Sequence, residues 1–138
     1  MSRNGPDDAT RKGTEEAAEI EGLLALAATT RPQRGGAALE VMSEAIAKCR
    51  VLARTSPGEY DALLARCLRD TATMLLDRRR AVEALTLAQE AVALARAAGG
   101  VPLMRALRCL AAALGALNRF SEAAVTEAEA ETLARPPD

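Results

Sequence analysis

From residue 14 to residue 135, apolar positions recur three and four apart, and the run is interrupted wherever Gly or Pro clusters. Six amphipathic helices follow. Thr14 caps the first, with Glu15 and Glu16 in its opening turn, and Leu23, Leu24 and Leu26 carry it to about Thr30. Pro32, Gly35 and Gly36 form a breaker. A second helix runs from Ala37 to Arg54 with Ala38, Leu39, Met42, Ala45, Ile46, Cys49 and Leu52 in its stripe. Ser56, Pro57 and Glu59 read as cap, first turn and capping box of a third, over 57–77. The fourth covers 81–97 and is stopped by Gly99 and Gly100. Pro102 admits a fifth, ending near Leu117, and Ser121 caps a sixth that runs to about Ala134, before Pro136 and Pro137. The helical domain is therefore expected over 14–135, with residues 1–13 a disordered tail and 136–138 a short terminal one.

One pattern occurs twice. Leu64-x-Arg66-x-Leu68-Arg69-x-x-Ala72-x-x-Leu75 returns thirty-nine residues later as Leu103-x-Arg105-x-Leu107-Arg108-x-x-Ala111-x-x-Leu114. Repetition at this period is the signature of stacked helical hairpins. At 100° per residue, Leu64, Leu68, Ala72 and Leu75 fall within a stripe of roughly 80°, and Arg66, Arg69, Thr73 and Asp77 lie on the opposite side.

Composition narrows the fold class to all-α. Half of the 138 residues are apolar, but Tyr60 and Phe120 are the only aromatics and most of the rest are Ala and Leu, the strongest helix formers. Such a core is closed by near approach of backbones. The formal net charge of −1 gives no global attraction for nucleic acid or an anionic membrane. Apolar runs reach nine residues, Cys109–Leu117, far short of a membrane span, so no membrane partner is expected and the cytoplasm is the expected location. Three cysteines, Cys49, Cys67 and Cys109, without C-x-x-C spacing and without any histidine, indicate neither a disulfide framework nor a zinc site; they read as buried thiols in a reducing compartment.

The arrangement of large and small residues resembles the tetratricopeptide repeat. Leu107, Leu110, Ala111 and Leu114 match the large, large, small, large order of that family's first helix, Ala123 and Ala130 match the small positions of its second, and Asn118-Arg119-Phe120 is similar to its corner. Leu68, Thr71, Ala72, Leu75, Ala84 and Ala91 follow the same order one repeat earlier, and Leu23, Leu26, Ala27, Ala38 and Ala45 supply a looser first copy. The likeness is nearest to the long-repeat variety common in actinobacterial proteins. It implies a right-handed α-solenoid of three antiparallel helix pairs whose first helices line a binding groove. Glu127, Glu129 and Glu131 would give the last helix the polar outer face of a terminal cap.

By that resemblance Arg66, Arg69, Arg105 and Arg108 would face one protein or peptide partner. Guanidinium forks pair bidentately with carboxylates, so an acidic segment is the partner they suit; the same arginines also suit the plainer task of keeping an exposed helix face soluble. Asp70, one turn beyond Arg66, can neutralise it locally. Arg78-Arg79-Arg80 is a basic corner with no stacking aromatic beside it, so no nucleic-acid partner is expected. No catalytic residue, metal site or cofactor is expected, because histidine, a Gly-rich phosphate loop and clustered carboxylates are all missing. A non-catalytic interaction module is the expected function. The alternative is a self-associating or sensory module, a homodimer or a regulatory segment of a bacterial regulator, joined through its Ala-rich outer faces.

Overall fold

A computed structural model of the chain describes residues 6–30 and 36–135, with side chains from residue 11 onward. Among these residues the protein is all-α, with six helices: α1 (Pro6–Thr29), α2 (Ala37–Thr55), α3 (Asp61–Asp77), α4 (Ala81–Ala95), α5 (Gly100–Ala116) and α6 (Phe120–Ala134). The chain divides into two compact units, 1–60 and 61–138. No described helix is long and apolar enough to cross a membrane.

The first unit is the pair α1–α2, packed against each other and joined on the surface by Lys48 and Glu19 at 3.0 Å. Two of its expectations change. α1 begins at Pro6, so residues 6–13, expected as tail, are helical, while residues 1–5, the Pro32–Gly35 breaker and the tail 136–138 lie outside the described residues. A long-range contact accounts for the longer helix. A Cβ at Gly13 would fall 2.5 Å from the Tyr60 hydroxyl, so a bare glycine lets Tyr60, in the turn after α2, lie on this charged stretch. The buried stripe of α1 is Ile20, Leu24 and Ala27, not Leu23, Leu26 and Ala27, and Leu26 is 52% exposed. Spacing of four and three is satisfied by either set, and packing against Met42, Ala45 and Cys49 of α2, all fully buried, selects the one with Ile20.

The turn at 56–60 also differs from expectation. α3 starts at Asp61 instead of Pro57, and Ser56 caps the end of α2 through its N–H to the Leu52 carbonyl at 2.9 Å. Gly58, at φ +87°, takes a conformation that no helix continues, which separates the two elements.

The second unit is α3–α4 and α5–α6, two antiparallel pairs. Each helix packs on the next and α3 also touches α5, the arrangement of one hairpin stacked upon another. Both copies of the repeated stripe are buried: Leu64, Leu68, Ala72 and Leu75, then Leu103, Leu107, Ala111 and Leu114. Ala84, Ala88 and Ala91 of α4 are fully buried, as is Ala130 of α6, so small side chains do allow backbones to meet. Ala123 is only half-buried. Thr71, where the repeat asks for a large apolar residue, is buried and returns its hydroxyl to the Cys67 carbonyl at 2.7 Å.

The corners repeat as closely as the core. Arg79 and Asn118 adopt left-handed backbone, φ 62° and 61°. Behind each, the next N–H reaches five residues back, Arg80 to Leu75 and Arg119 to Leu114, both at 2.9 Å, and these are Schellman closures. The following arginine stands at the N-cap of the next helix and makes no side-chain cap bond there; its fork goes instead to a glutamate side chain three residues on. Arg80 grips Glu83 at 2.9 and 2.6 Å, and Arg119 grips Glu122 at 2.6 and 2.8 Å. α6 accordingly begins at Phe120 with Arg119 before it, not at a Ser121 cap, and Phe120 is 66% exposed instead of filling the corner.

Candidate functional site

α3 and α5 touch along one seam. Two antiparallel steps, α3 to α4 and α4 to α5, leave α3 and α5 parallel, so equivalent turns lie side by side. Cys109 of α5 marks the contact, its thiol donating to the Arg69 carbonyl at 3.7 Å, an acceptor it shares with the Thr73 hydroxyl at 3.1 Å. Burial pushes this thiol above its ordinary value, against a smaller opposing pull from Thr73 and Arg69. All three cysteines are buried and none forms a disulfide; the Cys49 thiol donates to the Tyr60 carbonyl at 3.9 Å.

The four arginines of the repeated pattern do not act alike. Arg66 and Arg69 converge on the single carboxylate of Asp70, with Nε–O distances of 4.0 and 3.9 Å, too long for hydrogen bonds. Asp70 is half-buried, and that burial holds its carboxyl above its usual value although both guanidiniums pull the other way. Arg108 leaves the group. Its Nε lies 3.6 Å from Glu127 of α6. Arg105 is exposed, and among the described residues it makes no ion pair.

Two exchanges between the copies produce this difference. The position of Asp70 is taken by Cys109 in the second copy, and the position of Ala88 is taken by Glu127. At these two positions each pair thus has one carboxylate, on its first helix in one copy and on its second helix in the other. Ala88 is fully buried and leaves no room for a charge. Glu127 lies on the terminal helix, exposed, where a charge costs little. Sequence reading noted the exchange at Glu127 but took it as part of a polar outer face. Glu127 and Glu129 instead reach sideways, Glu129 to Arg96 of α4 at 2.8 Å, and Ala124, Val125, Ala128 and Thr132 take the outer side of α6, all exposed.

Two concave regions lie elsewhere. In the first unit a cleft of about 370 Å³ is walled by Glu16, Thr55, Glu59 and Tyr60. Burial, then the neighbouring carboxylates of Glu59 and Glu16, push the Tyr60 hydroxyl above its ordinary value. In the second unit an open groove of about 430 Å³ runs past Leu110, Leu114 and Val125. No group of three or more His, Cys, Asp or Glu among the described residues is placed to hold a metal ion.

Arg80-x-x-Glu83 and Arg119-x-x-Glu122 are what the sequence reading passed over. Their recurrence at the same offset as the leucines was a signal available in the chain. The chain matches no protein-family model, and no curated protein is detectably similar to it in sequence.

Proposed function

We propose that this protein is a non-catalytic interaction module that holds an acidic segment of a protein partner along the α3–α5 seam. The observation that carries this reading is the return of paired arginines at the same offsets on α3 and α5, two helices that touch. Arg66 and Arg69 on α3 lie near Asp70, and exposed Arg105 holds the position equivalent to Arg66 on α5, the helix that α3 touches. Guanidinium groups on a scaffold with a buried Leu and Ala core present fixed forks at little entropic cost, which favours carboxylate recognition.

The likeness to tetratricopeptide repeats is part of the same reading. It is supported by pair-on-pair packing and by burial of the repeated Leu and Ala positions. Affinity capture with wild type and with an R66A/R69A/R105A variant tests it. A partner retained by wild type and lost by the variant is the expected result, and undiminished capture refutes the assignment.

A self-associating or regulatory module is the second reading, favoured by the outer side of α6, where Val125 is 71% exposed beside the Leu110 and Leu114 groove. Light scattering at micromolar concentration separates the two: a monomer removes the homodimer.

A further inference from the structure

The cleft of the first unit plays no part in the acidic-segment reading, and its lining is of a different kind. It measures about 370 Å³ and lies between α1 and the turn that follows α2. Clefts that take small ligands begin at about 300 Å³, so this one suits a molecule of amino-acid size. Lys12 and Glu16 of α1 form one wall, Glu59 and Tyr60 of the turn another, and Val51 and Leu52 of α2 an apolar side. The turn is fixed by its own bonds. The Ser56 N–H donates to the Leu52 carbonyl at 2.9 Å, the Glu59 N–H to the Ser56 carbonyl at 3.2 Å, and the Cys49 thiol to the Tyr60 carbonyl at 3.9 Å. Across the cleft, the Tyr60 hydroxyl lies on bare α1 backbone, where a Cβ at Gly13 would fall 2.5 Å from it. Burial, then Glu59 and Glu16, hold that hydroxyl above its ordinary value, so it is neutral at pH 7. Lys12, Glu16 and Glu59 form no ion pair among the described residues, although the first two are one helical turn apart.

We propose that this cleft binds a free aliphatic α-amino acid: Lys12 takes its carboxylate, Glu16 and Glu59 take its ammonium, and its side chain lies on Val51 and Leu52. A cavity bordered by unpaired charges of both signs suits a ligand that carries both. The two charged groups of an α-amino acid hang from one carbon, so the groups that receive them must be close together. Side chains four apart on a helix have Cβ atoms about 5–6 Å apart, and Lys12 and Glu16 have that spacing. An ammonium has three donors, and Glu59, from the opposite wall, supplies an acceptor that α1 does not. Val51 and Leu52 leave the side chain an apolar surface and no further charge to meet. Glycine at 13 is what keeps Tyr60 in place as the closing wall, since any larger residue there meets its hydroxyl. The site stands apart from the α3–α5 seam and does not depend on it.

The chain has one tyrosine and no tryptophan, so its tyrosine emission reports on Tyr60 alone. The full chain is titrated with alanine, valine, leucine and methionine to millimolar concentration, followed by that emission and by isothermal titration calorimetry. Saturable binding of at least one is expected. With leucine as the probe, leucinamide, which lacks the carboxylate, and N-acetyl-leucine, which lacks the ammonium, should each bind at least tenfold more weakly, as loss of a hydrogen bond to a charged group does. E16Q/E59Q should cost at least as much. K12A should weaken leucine and also abolish its advantage over leucinamide, a change that a merely structural lysine would not produce. G13A should displace Tyr60 and remove binding, while alanine, the better helix former, keeps α1 intact by ellipticity. No saturable response to any of the amino acids overturns the proposal, as does leucinamide binding equal to leucine, or a K12A variant that still prefers leucine.

Discussion

Replacing Arg79 by glycine isolates the cost of the left-handed corners. Arg79 and Asn118 close α3 and α5 at φ 62° and 61°, with matching Schellman bonds behind them, so the two sites differ in side chain and hardly in geometry. A side chain in this region brings Cβ against the following carbonyl, at about 1–2 kcal/mol. Glycine removes that strain but surrenders about 0.5–1 kcal/mol in the greater freedom of its unfolded chain. The difference leaves R79G more stable by roughly 0.5–1 kcal/mol, or about 2–5 °C for a domain of this size. Arg79 is exposed, so its truncation uncovers no core. Asparagine tolerates the left-handed region better than arginine, so N118G gains less and R79N falls between the two. The assay is thermal and urea denaturation followed by helical ellipticity, on wild type and the three variants. A destabilised R79G, or an N118G gain equal to or above that of R79G, refutes the strain assignment.

Leu107, 1% exposed in the stripe of α5, is a central support of the second unit, and L107A is expected to lower its stability by about 2–5 kcal/mol in urea denaturation. A88L should overpack the fully buried α4 position and cost about 1–3 kcal/mol, whereas A124L on the exposed outer side of α6 should change the same midpoint little. Acid stability carries two opposite slopes. Hydrogen bonds from Arg80, Arg119 and Arg96 hold Glu83, Glu122 and Glu129 below the ordinary carboxylate range. Their contribution is full above the unfolded value and is lost as pH falls through the lower folded one. Asp70 is raised by burial, so its contribution is present below its unfolded value and lost as pH rises through the folded one. In midpoints measured across pH, E83Q/E122Q should flatten the acid loss, and D70N should gain more at neutral pH than in acid.

How much of this could be read from the chain differs from element to element, for reasons that are local or not. Leu64, Leu68, Ala72 and Leu75, and their counterparts on α5, were legible because burial of an amphipathic helix follows from spacing along one element. The ends of α4, α5 and α6 were legible to within a few residues, since Gly99, Gly100 and the corner residues act on their own neighbours. The stripe of α1 was not. Leu23, Leu24, Leu26 and Ala27 offer more than one helical register, and only the surface of α2 decides between them.

The candidate site divides in the same way. Sequence by itself determined that four arginines sit opposite a buried stripe, that two of them flank Asp70, and that the pattern repeats at a constant interval, because helix geometry makes these properties of each segment alone. Tertiary structure decided which partners lie across from them. Arg108 goes to Glu127, a carboxylate on another helix, and Cys109 meets the carbonyl of Arg69 across the seam. Charge pairing depends on distance in space, and periodicity along one helix carries no information about which side chain of its neighbour lies a few ångströms away.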